Sequence, residues 1–147
     1  SAKSAPFTYA VGRRRESVAR IRVYSSSTKT IEIEGNEFKA GDFVINGKKA
    51  AEYFRFKPYE PVYKKIFELT DTLGKYVVSA KVVGGGISGQ LDAVLHGVAR
   101  AFDKMDSEKY HSILKEHGYL TRDARTRERR KVGMGGKARR KKQSPKR

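Results

Sequence analysis

The chain has 147 residues, 33 Lys and Arg against 16 Asp and Glu, a formal net charge of +17, and no cysteine. A charge this large asks for a polyanionic partner, and without a long apolar run that partner is nucleic acid rather than a membrane. The absence of cysteine excludes a disulfide framework, a thiolate metal site and a cysteine nucleophile, so nothing requires an oxidising compartment.

Residues 1–8 hold no apolar run ending in a small-residue cleavage site, so no secretory signal is expected. Gly12 then precedes Arg13, Arg14 and Arg15. Residues 17–24 alternate, with Ala19, Ile21 and Val23 on one face and Arg20 and Arg22 on the other, the period of a half-buried strand. Five arginines and no lysine fall within ten residues. An isolated basic strand face is ordinarily solvated, but the guanidinium fork suits bidentate phosphate contact, and the rest of the chain adds to the charge.

Ser25, Ser26 and Ser27 signal a turn, and residues 30–34 and 43–45 read as further short antiparallel strands, punctuated by Gly35-Asn36 and Asn46-Gly47. Glu32, Glu34 and Glu37 are expected to point away from the core and from any nucleic acid. Residues 50–54 suit one or two helical turns. Pro61 stands at the first position of a short helix whose stripe is Val62, Ile66 and Leu69, widened by Tyr63 and Phe67. Residues 76–83 form a more buried strand, with Lys81 at its edge or reaching out along its stem.

Gly84-Gly85-Gly86-Ile87-Ser88-Gly89 follows that strand, opens a periodic helix and satisfies G-x-G-x-x-G. A dinucleotide unit also needs a second strand after the helix ending in an acidic residue, and Asp106 and Glu108 instead precede another helix. The same glycines let a backbone approach a phosphate, and free amides at the helix start attract it. Leu91, Val94, Leu95, Val98, Ala101, Phe102 and Met105 give this helix its core stripe. Asp92, His96 and Arg100 stack four apart on the other side and read as a solvated row rather than a catalytic one. Tyr110, Ile113 and Leu114 mark the buried face of the next helix, which Gly118 stops. His96, His111 and His117 are too scattered to form a metal site.

Residues 121–147 carry 13 Lys and Arg against Asp123 and Glu128, and no aromatic. Their few apolar side chains, Ala124, Val132, Met134 and Ala138, cannot offset the ordering entropy of a glycine-rich backbone. The chain therefore divides into a globular α/β RNA-binding body, residues 1–120, and an extended basic tail, residues 121–147, ordered by its partner.

Three blocks carry a resemblance over nearly the whole chain: GRRRESVARIRV at 12–23, GGGISGQLDAVLHGVARAF at 84–102 and GYLTRDARTRERRKVG at 118–133, with NGKKAAEYF at 46–54 agreeing again. In order and spacing they resemble the universal small-subunit ribosomal protein S nine family, bacterial type. The resemblance implies an α+β two-layer body like the second domain of ribosomal protein S five, with a left-handed βαβ crossover where connection rules alone favour a right-handed one. It implies binding to the head of the small-subunit rRNA beside neighbouring small-subunit proteins, and no catalytic residue, metal, cofactor, membrane or DNA.

The rRNA contacts it assigns in the body are Arg13, Arg14, Arg15, Arg20, Arg22, Arg100 and the loop residues Gly84, Gly85, Gly86, Ser88, Gly89 and Gln90. In the tail they are Arg122, Arg125, Arg127, Arg129, Arg130, Lys131, Lys137, Arg139, Arg140, Lys141 and Lys142, while Lys146 and Arg147 approach the anticodon stem of the peptidyl-site tRNA. Gln143-Ser144-Pro145 departs from the bulky residue usual before that Lys-Arg pair, and Pro145 restricts the residue before it to extended conformations. Residues 31–41 enlarge a hairpin whose acidic face is expected to meet solvent or a neighbouring protein. The implied setting is ribosome-bound, in bacterial cytoplasm or an organelle matrix. A free-standing basic RNA-binding or RNA-processing protein explains the charge but not the ordered blocks, and a nucleotide-dependent enzyme rests on residues 84–89 alone.

Overall fold

The computed structural model describes residues 7–24 and 30–120; the serine turn at 25–27 and every expectation for the tail lie outside the described residues. β1 (Phe7–Arg14) and β2 (Ser17–Tyr24) pair antiparallel with Arg14 opposite Ser17, so the turn between them consists of Arg15 and Glu16. β7 (Val77–Val83) lies antiparallel to β2 on its other side. Beyond it come β5 (Phe43–Ile45) and β6 (Lys48–Lys49), giving the sheet order β1-β2-β7-β5-β6, while β3 (Ile31–Ile33) and β4 (Asn36–Phe38) form a separate hairpin.

Residues 43–45 do not pair only antiparallel as expected: β5 runs parallel to β7. A parallel neighbour needs a crossover, and α1 (Ala50–Tyr53) and α2 (Glu60–Leu69) lie in the connection. Asn46 continues the pairing past the end of β5. Its main-chain N–H donates to Ala80 O at 2.8 Å, and its side-chain amide accepts from the Val82 N–H at 2.8 Å and donates to Val82 O at 3.1 Å. One side chain thus replaces the backbone of the next strand residue, at a φ of 50° that asparagine tolerates better than most residues.

The alternation along β2 divides the two faces as its period requires. Ala19, Ile21 and Val23, with Val78, Ala80 and Val82 of β7, pack under Leu91, Val94, Val98 and Phe102 of α3 (Ile87–Met105), and Tyr110 and Leu114 of α4 (Ser107–Glu116) join the same core. On the reverse face, Tyr24, Val44 and Val77 pack against Ile31 and Phe38 of the hairpin, which covers one part of an otherwise open surface. α3 meets β1 very closely. A methyl on Gly12 would overlap Ala93 O and the Gly97 N, and one on Gly97 would stand 2.5 Å from Ile21 Cγ1, so the small residues of the helix block are there for backbone contact.

Two expectations are corrected and one is narrowed. The buried stripe of α2 is Tyr63, Ile66 and Phe67, and Val62 is 43% exposed. Phe43 meets the rings of Tyr63 and Phe67 edge-on at 5.8 and 5.1 Å, and burying three aromatics outweighs the aliphatic stripe. Of the two expectations for Lys81, the second fits: it stands opposite Arg20 on the central β7 and not at an edge, and its stem carries the ammonium out to Glu34. The row Asp92, His96, Arg100 is exposed at Asp92 and Arg100 as expected, but it also forms a seam with β1: Asp92 Oδ2 is 3.5 Å from Arg14 Nε, Arg100 Nη1 donates to Val11 O at 2.7 Å, and Lys104 Nζ donates to Tyr9 O at 2.7 Å. These cations occupy carbonyls of the edge strand, a protection against pairing with a foreign strand.

Candidate nucleic-acid interface

One end of the sheet joins the arginine turn to the glycine loop. Gly84 and Gly85 have φ of 84° and 68°, and a side chain on either would collide with Glu16 O or Ser17 Oγ, so both backbone sign and space require glycine. The buried Ser17 hydroxyl donates to Gly84 O at 2.9 Å. Gln90 Nε2 donates to the same carbonyl at 3.1 Å, and its Oε1 accepts from the Tyr53 hydroxyl at 2.7 Å. These bonds fix the loop against the β1–β2 turn and α1. Gly86 differs: it has no left-handed φ, and a methyl there would meet open space. It is the N-cap of α3 and offers no side-chain cap, so the first-turn amides stay available to water or an anion.

Arg13 and Arg15 are exposed beside this loop, and Arg15 holds φ at 56°, a conformation that costs a non-glycine residue about 1–2 kcal/mol. Arg14 reaches across to Asp92. Burial pushes the Asp92 carboxyl up, against the lowering pull of Arg14 and Arg15.

A second cationic region lies on the open sheet face. Arg20 stands opposite Lys81 and Val11, and Arg22 stands opposite Ser79 and Tyr9. The Arg22 guanidinium sits 4.7 Å from the Phe7 ring centre, a cation–π contact that orients it. Tyr9, Arg20, Arg22, Ser79 and Lys81 line a groove of about 490 Å³, closed on its far side by Glu32 and Glu34 of the hairpin. Glu34 Oε2 is 3.3 Å from Lys81 Nζ. The hairpin carboxylates point away from the core as expected, yet two of the three border the cationic face, because the apolar residues Ile31 and Phe38 fold the hairpin back onto the sheet.

The structure thus brings residues 13–15 together with Gly84, Gly85, Gly86, Ser88, Gly89 and Gln90, and puts Arg20 and Arg22 on the open face. Arg100 lies further along α3 on the seam with β1, and the candidates from Arg122 to Arg147 lie outside the described residues. Sequence reasoning missed Ser17, Tyr53 and Asn46, whose roles depend on partners 36 or more residues away; no local pattern announces such bonds. His111 pairs with Asp103 at 2.8 Å and His117 with Ile113 O at 3.0 Å. Among the described residues no group of side chains could hold a metal, and no helix is long and apolar enough to cross a membrane.

Helices on one face of a mixed sheet, with cations and uncapped helix amides gathered at one end, define a small basic α+β protein suited to polyanions. A model of the ribosomal protein S9/S16 family matches residues 12–147, and the chain belongs to that family. It is 42% identical over 133 residues to the small ribosomal subunit protein uS9 of Maridesulfovibrio salexigens, covering 90% of this chain and 92% of the relative. To the proteins of the same name from an Arthrobacter species and from Renibacterium salmoninarum it is 43% and 39% identical over 125 residues, covering 85% of this chain and 67% of each relative. A ribosomal protein family is not one of enzymes, which disposes of the dinucleotide reading of residues 84–89. The topology agrees, since α3 runs into α4 and not into a second parallel strand.

Proposed function

We propose that the chain is a structural constituent of the small ribosomal subunit, bound there to the head of the small-subunit rRNA and to neighbouring subunit proteins. The observation that carries this reading is the meeting of Arg13, Arg14 and Arg15 with the uncapped start of α3 across a glycine loop, in a chain whose relatives bear the small-subunit name. A-form RNA hides its base edges in a deep groove, so a structural protein reads phosphates, 2′-hydroxyls and shape. The arginine turn and the start of α3, held together by the Ser17–Gly84 bond, supply donors for that purpose.

Residues 121–147 supply charge: laid along RNA, they follow its phosphates, and Lys146 and Arg147 reach the anticodon stem of the peptidyl-site tRNA. The body is of the type of the second domain of ribosomal protein S five, with a left-handed crossover; the parallel β5–β7 pair, joined through α1 and α2, supplies the crossover that this reading needs, whatever its hand. Location follows from the ribosome, in cytoplasm or an organelle matrix, and no cofactor takes part.

If about eight tail cations meet phosphates, the slope of log K against log salt is near −6 to −7, from roughly 0.7 to 0.9 per contact. Truncation before residue 121 removes most of that slope while the body stays folded. A truncated body with the full slope would place the binding surface elsewhere, and a chain that leaves small subunits in a moderate-salt wash would be a free-standing RNA-binding protein instead.

A further inference from the structure

We propose that the groove between the open sheet face and the β3–β4 hairpin seats one unpaired guanosine of RNA, its phosphate on Arg20 and Arg22, its ring on Tyr9 and its Watson–Crick edge on the carboxylates of the hairpin. The proposal rests on the RNA-binding reading above and adds a base-specific subsite to it.

The two walls of the groove have opposite charge and leave space between them. Arg20 and Arg22 form no ion pair among the described residues, although Glu32 and Glu34 line the same groove; only Lys81 reaches across, to Glu34. An occupant that satisfies both walls carries an anion and, several ångströms away, N–H donors. RNA offers both in one nucleotide. A carboxylate is an acceptor only, able to take two donors side by side. Guanine presents two adjacent donors on its Watson–Crick edge, the ring N1–H and the exocyclic amino group, whereas adenine, cytosine and uracil each present one donor group. Only an unpaired base exposes that edge, and bases splayed from the helix stack on aromatic rings. Tyr9 supplies such a ring: it is 38% exposed, borders the groove and lies opposite Arg22 in register.

The volume, about 490 Å³, is that of a pocket for a small molecule and not of a duplex cradle. The hairpin gives a further reason. Glu32 stands directly opposite Glu37 across the β3–β4 ladder, an arrangement that destabilises a sheet. Donors arriving at Glu32 offset that repulsion.

The test uses the full chain and four stem-loop RNAs that differ only in the identity of a single bulged nucleotide, with the bulge-free stem as control, titrated by fluorescence anisotropy at one salt concentration. The guanosine bulge binds tightest, by about tenfold, the discrimination expected of one bidentate contact. The double variant Glu32→Gln/Glu34→Gln keeps side-chain length at both positions but adds an N–H that opposes one of the two guanine donors, and the preference falls to within about twofold. Tyr9→Ala weakens all four bulged RNAs relative to the stem, and Tyr9→Phe restores them.

Equal affinity for the four bulges overturns the proposal, as does a guanosine preference that survives the double variant. So does a crosslink in assembled small subunits from the groove to a protein instead of to RNA. These failures are separable from failure of the broader reading: a stem bound with steep salt dependence but without bulge preference removes this subsite alone, while a stem not bound at all removes the RNA-binding function.

Discussion

Under α3, strands β1 and β2 present Ala10, Gly12, Ala19 and Ile21, packed so closely that a single methyl has nowhere to go. On the reverse, the same two strands present Tyr9, Arg20 and Arg22 to a solvent-filled groove. Successive residues of one strand therefore answer to different physics: volume on the covered face, charge on the open one. A substitution on the first should act through folding and one on the second through binding, so each face can be altered with little effect on the other.

The largest effect is expected from Gly97→Val. Its added carbons meet Ile21 and the Gly12 main chain, and backbone cannot give way as a side-chain tip can, so the loss of stability is about 3 kcal/mol, at the upper end for overpacking. Urea denaturation of the full chain measures it. A near-wild-type midpoint would mean that the helix and β1 can separate, and the distinction between the faces would weaken.

Alkaline pH probes the same covered face. Burial, with the Tyr76 hydrogen bond adding to it, pushes the Tyr110 hydroxyl up to about 12. Below about pH 10, the ordinary tyrosine value, the hydroxyl is protonated in folded and unfolded chains alike and no stability is lost. Between about 10 and 12 the unfolded chain ionises first, so stability falls as pH rises through that window. Tyr110→Phe flattens this part of the denaturation profile, and an unchanged slope would assign the alkaline loss to other groups.

On the open face, neither arginine has an ion pair to lose among the described residues, so Arg20→Ala changes the unfolding free energy by no more than about 0.5 kcal/mol, and Arg22→Ala, which also gives up the Phe7 ring contact, by no more than about 1 kcal/mol. Affinity for RNA falls and the salt slope shrinks by roughly 0.7 to 0.9 for each lost contact. The reverse result, lost stability with binding intact, would make these arginines structural.

What the sequence disclosed follows the range of the interactions involved. Alternation in residues 17–24 and the helical period of residues 87–105 are local, and both elements appear where the pattern put them. The parallel course of β5 was not legible, because three apolar residues carry no direction and the partners of Asp42 and Asn46 on β7 lie more than thirty residues away in the chain. Nor was the return of Glu34 to Lys81, which depends on where Ile31 and Phe38 find apolar cover. Charge in the arginine turn, and glycines before a helix start in the loop, each pointed to a polyanion. Neither could say that Ser17, through Gly84, holds the two together, or that Tyr53, through Gln90, braces the loop against α1.

The smallest expected change in stability separates structure from function most cleanly. Gly84, Gly85 and Gly86 read as one motif, yet only the first two are demanded by the fold. At Gly85 a methyl meets Ser17 Oγ and the φ is left-handed, so Gly85→Ala costs about 1–2 kcal/mol from backbone strain alone. At Gly86 there is neither obstacle; reduced freedom of the unfolded chain favours Gly86→Ala by up to about 1 kcal/mol, and the poorer helix cap that alanine makes takes back a similar amount, so the net change in stability is small. A methyl at that N-cap nevertheless stands where a phosphate would approach the first-turn amides of α3. Gly86→Ala should therefore melt close to the parent while binding small-subunit RNA more weakly, and Gly85→Ala should lose stability as well as affinity. If Gly86→Ala binds RNA as the parent does, the start of α3 is not an anion site, and the arginine turn acts without it.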